Sequence, residues 1–411
     1  MNILIINHYA GSDGYGMEFR PFYFGRELAK LGHNVTVLAA SYSHLRRRNP
    51  EVSADFTEEN IEGVRYVWLK APAYRRNDLR RMLNMTTFLR KLKKYAPRIA
   101  AAYQPDAVVA SSTYPYDVRE ARRIADCCEK PCRVLYEIHD LWPLSLIELY
   151  HLSEKNPYIR SLQKAENDAY RLSDGVISIL PHADRHIHEL GFSDVPFYYV
   201  PNGVVSNVPA EDAPENVLCA VQEARSKGKC ILMYLGGFSK ANALDDLLNA
   251  APLLPFGVQL FLIGGGPLKK EIEETIQKSG LSNVTVLPAV QKRQVQNVLR
   301  LADALYIGAK RTPLYRYGVG MNKIYDYMLS GRPILYAVES SNNPVAEADC
   351  GIRIAAEDPQ EIASGARMLL QMTQEERERL GTNGCRYARQ YHDYRTLAKQ
   401  FAAACAGEDA E

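Results

Sequence analysis

The 411-residue sequence contains no long apolar run, no CxxC motif and almost no net charge. No apolar stretch approaches the roughly 20 residues that a membrane-spanning helix needs. The N-terminus, MNILIINHYAG, lacks the basic flank and the long apolar region of a secretory signal. We therefore expect a cytoplasmic protein. The net charge of +2 indicates no particular class of charged partner.

The eight cysteines are scattered and form no CxxC motif. Cys128 and Cys132 lie four residues apart, but no second Cys or His pair follows at the spacing of a zinc site. The sequence therefore predicts reduced structural thiols, with neither a bound metal nor a cofactor.

Short apolar, β-branched runs alternate with amphipathic stretches along the whole chain. Continuous apolar runs are typical of strands buried on both faces, and their alternation with helices implies parallel sheets with right-handed crossovers. One sheet with so many strands would be exceptional, so two doubly wound α/β domains are predicted. The predicted strands are residues 3–7, 35–40, 64–69, 107–111, 134–138, 176–180, 197–200, 231–235, 259–263, 284–287, 304–307, 333–338 and 352–355.

A polar stretch near the middle of the chain marks the predicted domain boundary. Residues 204–215, VVSNVPAEDAPE, are rich in Pro, Asp and Glu and follow the turn Pro201-Asn202-Gly203. We predict a first domain at 1–204, a second domain at 205–390, and a C-terminal helix at 391–411 that can pack back on the first domain.

Three glycine-rich turns follow predicted strands and precede predicted helices. Ligands of open α/β sheets bind at the carboxyl ends of strands, where glycine lets backbone N–H groups approach a phosphate. Neither a dinucleotide fingerprint nor a P-loop is present. Close packing without any ligand is the alternative for each turn. The glycines are Gly14 and Gly16, Gly236 and Gly237, and Gly265 and Gly266.

His139 directly follows the predicted strand 134–138, in the segment YEIHDLWP. Its place at the carboxyl end of a central strand makes it a candidate catalytic residue, with a satisfied structural histidine as the alternative. Asp140 can orient the imidazole or cap the next segment. The other histidines, including those at 184–188, are interpreted as polar helix faces.

Residues 318–333, GVGMNKIYDYMLSGRP, form the most distinctive segment. Asn322, Asp326 and Ser330 recur every four residues, which places them along one helix face. If the helix begins at the ligand-binding edge, Lys323 and the helix dipole both favour a diphosphate. Asp326, one turn further along, can accept hydrogen bonds from a ribose diol. A solvated amphipathic face is the alternative.

In their order and spacing these signals resemble the retaining glycosyltransferases of family 4, over essentially the whole chain. The HDLWP and NKIYDYM forms look most like a bacterial O-antigen and capsule branch that includes N-acetyl-L-fucosamine transferases. The resemblance implies a GT-B fold, with two Rossmann-like, doubly wound parallel-sheet domains facing a central cleft. It is carried by the Gly-rich first loop with LAKLGHNVTVL, and by EIHDLWP, YVPNGV, YLGG, LIGGGP, VTVLPAV and NKIYDYMLSGRPIL.

The resemblance also implies roles for individual residues. His139 matches the cleft histidine that contacts the donor sugar, and Asn202 of YVPNGV is placed in the cleft. Gly14 and Gly16 match the loop near the donor phosphates. Asp326 matches the ribose-binding acid, which is usually Glu.

Two regions depart from the family pattern. Many members grip the diphosphate with an Arg and a Lys, where this chain has Gly237 and Asn242. Lys240, Lys323 or Arg316 can supply the missing charge. Many members also carry a Glu at the position of Gly318, so the usual contact to the transferred sugar is missing or rearranged.

By this resemblance the first domain binds the acceptor and the second binds the nucleotide sugar. We predict a metal-independent, retaining transferase that moves a hexose or N-acetylhexosamine from a UDP-sugar to a polysaccharide or lipid-linked acceptor in surface-glycan biosynthesis. A UDP-sugar 2-epimerase of the same architecture and an inactive nucleotide-sugar-binding protein are the alternatives. A nicotinamide dehydrogenase is disfavoured, because its fingerprint is absent.

Residues 43–98 carry fourteen Lys or Arg against six Asp or Glu. Within them, 79–92 interleaves apolar residues with Arg and Lys, a mixture that can lie on the inner face of an anionic membrane. A polyprenyl-diphosphate sugar acceptor would give this contact a purpose, and an ordinary helix packed on the first sheet is the alternative. Nucleic acid is disfavoured, because no recognition motif accompanies these residues.

Overall fold

The computed structural model describes residues 1–74, 79–207 and 211–408. Contacts within the chain divide it into two compact units. Among the helices in the described ranges, none is both long and apolar enough to cross a membrane. The first unit contains Met1–Asn202, Tyr317–Gly320 and Tyr394–Glu411, and the second contains Gly203–Arg316 and Met321–Asp393.

Every predicted strand overlaps an observed one. The strands are β1 (Asn2–Ile6), β2 (Asn34–Ala40), β3 (Thr57–Ile61), β4 (Val64–Leu69), β5 (Ala107–Ala110), β6 (Arg133–Ile138), β7 (Gly175–Ser178), β8 (Phe197–Tyr199), β9 (Cys230–Gly237), β10 (Val258–Gly265), β11 (Val284–Leu287), β12 (Ala304–Gly308), β13 (Ile334–Ala337) and β14 (Gly351–Arg353). Most of the apolar runs are buried on both faces of a sheet, whereas β8, β11 and β14 are only partly buried.

One observed strand, β3, has no counterpart among the predicted ones. Its sequence, TEENI, is polar and its side chains alternate between exposed and partly buried. It pairs antiparallel with β4 at the edge of the sheet. An edge strand with a solvated face needs no apolar run, so the search for buried strands missed it.

Both sheets have a topological switch point, where the strand order reverses. The first unit has the order β3-β4-β2-β1-β5-β6-β7-β8, and the reversal falls between β1 and β5. The second unit has the order β11-β10-β9-β12-β13-β14, and the reversal falls between β9 and β12. Ligands of open α/β sheets bind beside the carboxyl ends of the strands at such points.

Several helices begin at signals that the sequence carries. In α5, α12 and α13 a Pro opens the helix, and the side chain of the residue before it accepts backbone N–H groups. The helices are α1 (Arg20–Lys30), α2 (Leu79–Tyr103), α3 (Val118–Ala125), α4 (Leu144–Tyr150), α5 (Pro157–Leu172), α6 (Ala183–Glu189), α7 (Glu215–Ser226), α8 (Leu244–Ala250), α9 (Lys269–Lys278), α10 (Val295–Leu299), α11 (Asn322–Leu329), α12 (Pro344–Glu347), α13 (Pro359–Gln371), α14 (Gln374–Tyr391) and α15 (Tyr394–Ala406).

The C-terminal helix α15 belongs to the first unit and packs on α1. The rings of Phe24 and Phe401 lie 4.8 Å apart between their centroids, and Tyr394 contacts Tyr23 at 5.1 Å. On α2, the apolar side chains of Phe88, Leu92 and Ile99 are fully buried in the core of the same unit. The contacts of α1 with α15 and with β2 position α1, which carries one of the site residues described below.

Candidate functional site

A buried polar network joins the carboxyl ends of β5 and β6 in the first unit. The Ser111 hydroxyl, directly after β5, donates to Glu137 of β6 and lies 3.1 Å from Nε2 of His139. Since this hydroxyl donates to Glu137, it can accept the Nε2–H of the imidazole. Arg20 of α1 donates from Nε to Oε1 of Glu137 at 2.9 Å. The network therefore gives His139 a fixed position at the strand end.

The ion pair of Arg20 and Glu137 is almost dry, because each side chain is only 2% exposed. Arg20 also donates to the backbone oxygens of Val200 and Pro201, at 2.7 and 2.8 Å. Burial alone would raise the pKa of Glu137, but Arg20 and His139 outweigh burial and lower the pKa to about 2. Glu137 is therefore a carboxylate at neutral pH.

Asp140, a candidate catalytic residue, bonds to the turn that follows it rather than to His139. Its Oδ1 accepts the Leu141 N–H at 2.9 Å and the hydroxyl of Ser145, and its Oδ2 accepts Nε1–H of Trp142 at 3.2 Å. Of the two roles left open for Asp140, this geometry favours capping.

The sequence interpretation missed two buried titratable groups in the first unit. His8, after β1, lies 2.6 Å from the Tyr114 hydroxyl and 2.5 Å from Oδ1 of Asn84, and burial lowers its pKa to about 3. Burial raises the pKa of Asp117 to about 7, and its Oδ1 has no hydrogen-bond partner among the described residues. Neither lies in a glycine-rich or charged motif, so no local pattern marked it.

The interpretation of the remaining histidines as polar helix faces is wrong for His8 and His186. Their exposed fractions are 0% and 5%. Nε2 of His186 lies 2.8 Å from Oε1 of the buried Glu166. His186 sits on a short helix that packs into the core, where a polar residue is tolerated because its partner is buried with it.

The first glycine-rich loop combines close packing with open space. A Cβ on Gly11 would lie 1.8 Å from the backbone oxygen of Gly16, and Gly16 itself has a φ of +99°. By contrast, a Cβ on Gly14 would meet nothing nearer than the Ser12 hydroxyl at 3.9 Å among the described residues. A Cβ on Gly16 would lie 2.8 Å from the backbone nitrogen of Arg47, so packing and backbone conformation together explain Gly16, while the backbone at Gly14 is accessible.

Asn202 is tied to residues of the same unit. Its Nδ2 donates to the backbone oxygen of Gly320 at 2.7 Å, and its Oδ1 accepts from Arg20 at 3.2 Å. Through Arg20, Asn202 belongs to the network that contains Glu137 and His139.

In the second unit, the glycines at the ends of β9 and β10 divide in the same way. A Cβ on Gly264 would lie 1.9 Å from the backbone oxygen of Gly236, and one on Gly266 would lie 2.5 Å from that of Phe238. Close packing of the two strand ends therefore requires Gly264 and Gly266. A Cβ on Gly237 or Gly265 would meet no atom of the described chain within 4 Å, so the backbones of these two glycines are accessible to a ligand.

Lys323, the second residue of α11, places its ammonium beside the end of β9. Its Nζ donates to the Tyr234 hydroxyl at 3.0 Å and to Oδ1 of Asn242 at 2.6 Å. Both partners are neutral, and no carboxylate of the described residues forms an ion pair with Lys323. Burial lowers the pKa of Lys323 to about 8. The Lys323 ammonium thus lies beside Asn242, the position at which many family members carry a lysine.

Asp326 carries an ion pair that the sequence did not predict. Both of its carboxylate oxygens accept from Nζ of Lys292, at 2.8 and 2.6 Å. Asn322, one turn earlier, is exposed. The expected helix face does not continue to Ser330, because α11 ends at Leu329 and the Ser330 hydroxyl is buried against the backbone oxygen of Tyr327.

The other two candidate cations are Lys240 and Arg316. Lys240 is exposed on the short turn after β9. Arg316 lines a cavity of about 700 Å³ whose walls, over the described ranges, include none of the other predicted donor residues. Within the described part of the chain, no three His, Cys, Asp or Glu side chains cluster as a metal site would require.

Comparisons with known proteins identify the class. The model of glycosyltransferase family 4 matches residues 15–207, and that of the glycosyl transferases group 1 matches residues 229–372. Both halves of the chain therefore match models of glycosyltransferase domains. No curated protein sequence matches the chain.

Solved structures agree on the fold. Sucrose-phosphate synthase from Thermosynechococcus elongatus has a TM-score of 0.73 at 17% identity, covering 99% of both chains. HepE of Anabaena, in complex with UDP and glucose, has a TM-score of 0.67 at 15% identity, again covering 99% of both. WaaG, a glycosyltransferase involved in lipopolysaccharide biosynthesis, has a TM-score of 0.65 at 16% identity, covering 98% of this chain and 100% of that one. The predicted GT-B fold, with two parallel-sheet α/β domains, is confirmed.

Proposed function

We propose that this glycosyltransferase moves a sugar from a UDP-sugar to a polysaccharide or lipid-linked acceptor, with retention at the anomeric carbon and without a metal ion. The observation that carries the proposal is the ammonium of Lys323. It lies at the switch point of the second sheet, and its hydrogen-bond partners Tyr234 and Asn242 are neutral. A partly buried cation with neutral partners favours binding of an anion, and a diphosphate is the anion that a nucleotide sugar presents.

The chemistry follows from the leaving group. As the diphosphate departs, it gains negative charge, which Lys323 and the N-terminus of α11 stabilise. The backbone at Gly237 is open, and its N–H can donate to the same anion. Gly318 stands where the family has a carboxylate, so no protein nucleophile is assigned there. Attack by the acceptor on the face that the diphosphate leaves accounts for retention.

The proposal also concerns the identity of the donor nucleotide and of its sugar. HepE was solved with UDP and glucose, which supports a uridine donor for this chain. The HDLWP and NKIYDYM forms support an N-acetylated sugar and a role in O-antigen or capsule synthesis, as in the N-acetyl-L-fucosamine transferase-like branch. Such donors are made in the cytoplasm, where we predict that the protein acts.

The direct test incubates the purified protein with UDP-glucose, UDP-N-acetylglucosamine or UDP-N-acetyl-L-fucosamine, with and without a membrane extract that supplies acceptor. Release of UDP that depends on the extract and persists in EDTA would support a metal-independent transferase. Interconversion of sugars without the extract would establish the epimerase instead. Binding of UDP with no turnover in either arm would favour the inactive binding protein.

The acceptor is proposed to reach the first unit at a membrane surface. In the first turns of α2, the exposed fractions of Leu79, Met82 and Leu83 are 81%, 53% and 51%. The opposite face of α2 packs into the core. Arg80 and Arg90 lie exposed on the same helix. Arg46 cannot contact a membrane, because it is buried and donates hydrogen bonds to backbone oxygens. Arg75 and Arg76 lie outside the described residues.

Vesicle sedimentation tests this surface. Each Lys or Arg near an anionic bilayer contributes about 1 kcal/mol, so binding should require anionic lipid and weaken with salt. Replacing Leu79, Met82 and Leu83 by Ser should abolish sedimentation. Phe256→Ser, at a 95% exposed position of the second unit, is the matched control and should bind normally. Wild-type protein that stays in solution under every condition would leave only the packing role for α2.

A further inference from the structure

Asp326 and Lys292 form a paired site at the carboxyl edge of the second sheet. Lys292 lies on the short turn after β11, and Asp326 lies in α11. The family resemblance assigns only Asp326 a role, and no motif includes Lys292. The two side chains are 40% and 16% exposed, so both are accessible to a ligand.

The surrounding contacts hold this pair in place. Gln291 and Gln294 bond reciprocally around the turn that carries Lys292. Gln296, at the start of α10, donates from Nε2 to the backbone oxygen of Asp326 at 3.0 Å. The turn and α11 are therefore joined by a side chain-to-backbone bond in addition to the ion pair, which limits how far Lys292 and Asp326 can separate.

The hydrogen-bonding capacity of the pair fits a vicinal diol. An ammonium has three N–H donors, and Lys292 directs two of them to the carboxylate of Asp326. The carboxylate oxygens have about four acceptor positions, of which Lys292 fills two. One acceptor group and one donor group thus remain side by side. Two neighbouring hydroxyls, each able to donate and accept, can satisfy both.

We infer that Lys292 is a second ribose-binding residue, and that it and Asp326 together select a ribonucleotide over a deoxyribonucleotide. The inference rests on the proposed function, since it assumes that a nucleotide binds in the second unit. One hydroxyl of the ribose donates to Asp326 and the other accepts from Lys292. A nucleotide that lacks one hydroxyl leaves either Asp326 or Lys292 without its hydrogen bond to the ribose, which favours the complete diol.

Isothermal titration with UDP, 2′-deoxy-UDP and 3′-deoxy-UDP tests the inference. The wild-type protein should bind UDP more tightly than each deoxy analogue, by about 10-fold or more, because a hydrogen bond to a charged group is lost. Lys292→Met keeps the length of the side chain and removes its donors. For each deoxy analogue, the selectivity ratio is its Kd divided by the Kd for UDP. In Lys292→Met, at least one of the two selectivity ratios should fall several-fold. Lys292→Arg should keep most of the selectivity.

Lys269→Met is the control, because Lys269 is as exposed as Lys292, at 41% and 40%, and pairs with Glu273 on α9. Its ratios should equal those of the wild type. If both ratios stay unchanged in Lys292→Met while UDP still binds, Lys292 only neutralises Asp326 and the inference is wrong. If the wild-type protein binds none of the three nucleotides, the proposed function itself fails.

Discussion

The polar groups at the switch points of the two sheets differ in how their charges are neutralised. In the first unit, Arg20 and Glu137 neutralise each other in an almost dry network that also holds His139. In the second unit, Lys323 bonds to neutral partners, and the accessible glycine backbones lie at the same sheet edge. The first arrangement fixes a side chain before any ligand arrives, whereas we propose that an anion completes the second. This contrast matches a division between orienting the reacting sugar and binding the diphosphate.

The comparison predicts a large difference in stability when one ion pair is broken in each unit. Arg20→Met leaves the Glu137 carboxylate buried without its cation, so the free energy of unfolding should fall by about 3–5 kcal/mol. Lys292→Met breaks the more exposed pair with Asp326, and the loss should stay below about 1 kcal/mol. Urea unfolding followed by circular dichroism measures both. Equal losses would remove the distinction between a dry network and an accessible one.

The role of His139 can be separated from nucleotide binding. His139→Ala should lower kcat by about 10²–10³, the range found when one group that stabilises developing charge is removed. The Kd for UDP should stay close to the wild-type value, since we propose that the second unit supplies the nucleotide contacts. His188→Ala, an exposed histidine on α6, serves as the control. Full activity in a folded His139→Ala protein would assign the residue to structure.

Neutralising Lys323 should affect only ligands that carry phosphate. Lys323→Gln should weaken UDP binding by about 10- to 150-fold, the range for a lost charged hydrogen bond, and leave uridine almost unaffected. Lys310→Gln is the matched control, because Lys310 is already neutralised by Asp245 and Asp246 at 2.8 and 2.6 Å. An equal loss for uridine and UDP would show that Lys323 does not bind the diphosphate.

The strands and the two-domain parallel-sheet architecture could be predicted from the sequence, because most buried strands carry apolar runs and their alternation with helices implies parallel pairing. β3 escaped this reasoning, since an exposed edge strand needs no such run. Local motifs also singled out, as candidates, His139 after β6 and Lys323 and Asp326 in α11.

Partners that are distant in sequence could not be predicted in this way. Glu137 lies inside an apolar run, and its ion pair with Arg20 joins residues 117 positions apart. Lys292 stands 34 positions from Asp326 and in no motif. The sequence also does not show which glycines are required by packing. A Cβ on Gly264 would clash with the neighbouring backbone, whereas one on Gly265 would not, and only the structure distinguishes them. Such pairings depend on three-dimensional proximity rather than on local pattern.

The pH dependence of UDP-glucose binding tests most directly whether the charge of Lys323 holds the donor. The pKa of Lys323 is lowered to about 8 in the free protein, and a bound diphosphate should raise it, because the anion favours the ammonium. Binding is therefore strongest below pH 8 and weakens as the pH rises through this value. Between pH 7 and 9 the Kd should increase by about 10-fold.

The matched variant is Lys323→Arg, whose guanidinium stays charged throughout this range. It should bind UDP-glucose with a Kd that hardly changes between pH 7 and 9, when isothermal titration is carried out at fixed ionic strength. A steep profile for the wild type and a flat one for Lys323→Arg is the result that the account predicts. A flat profile for both proteins, or the same slope in both, would contradict it.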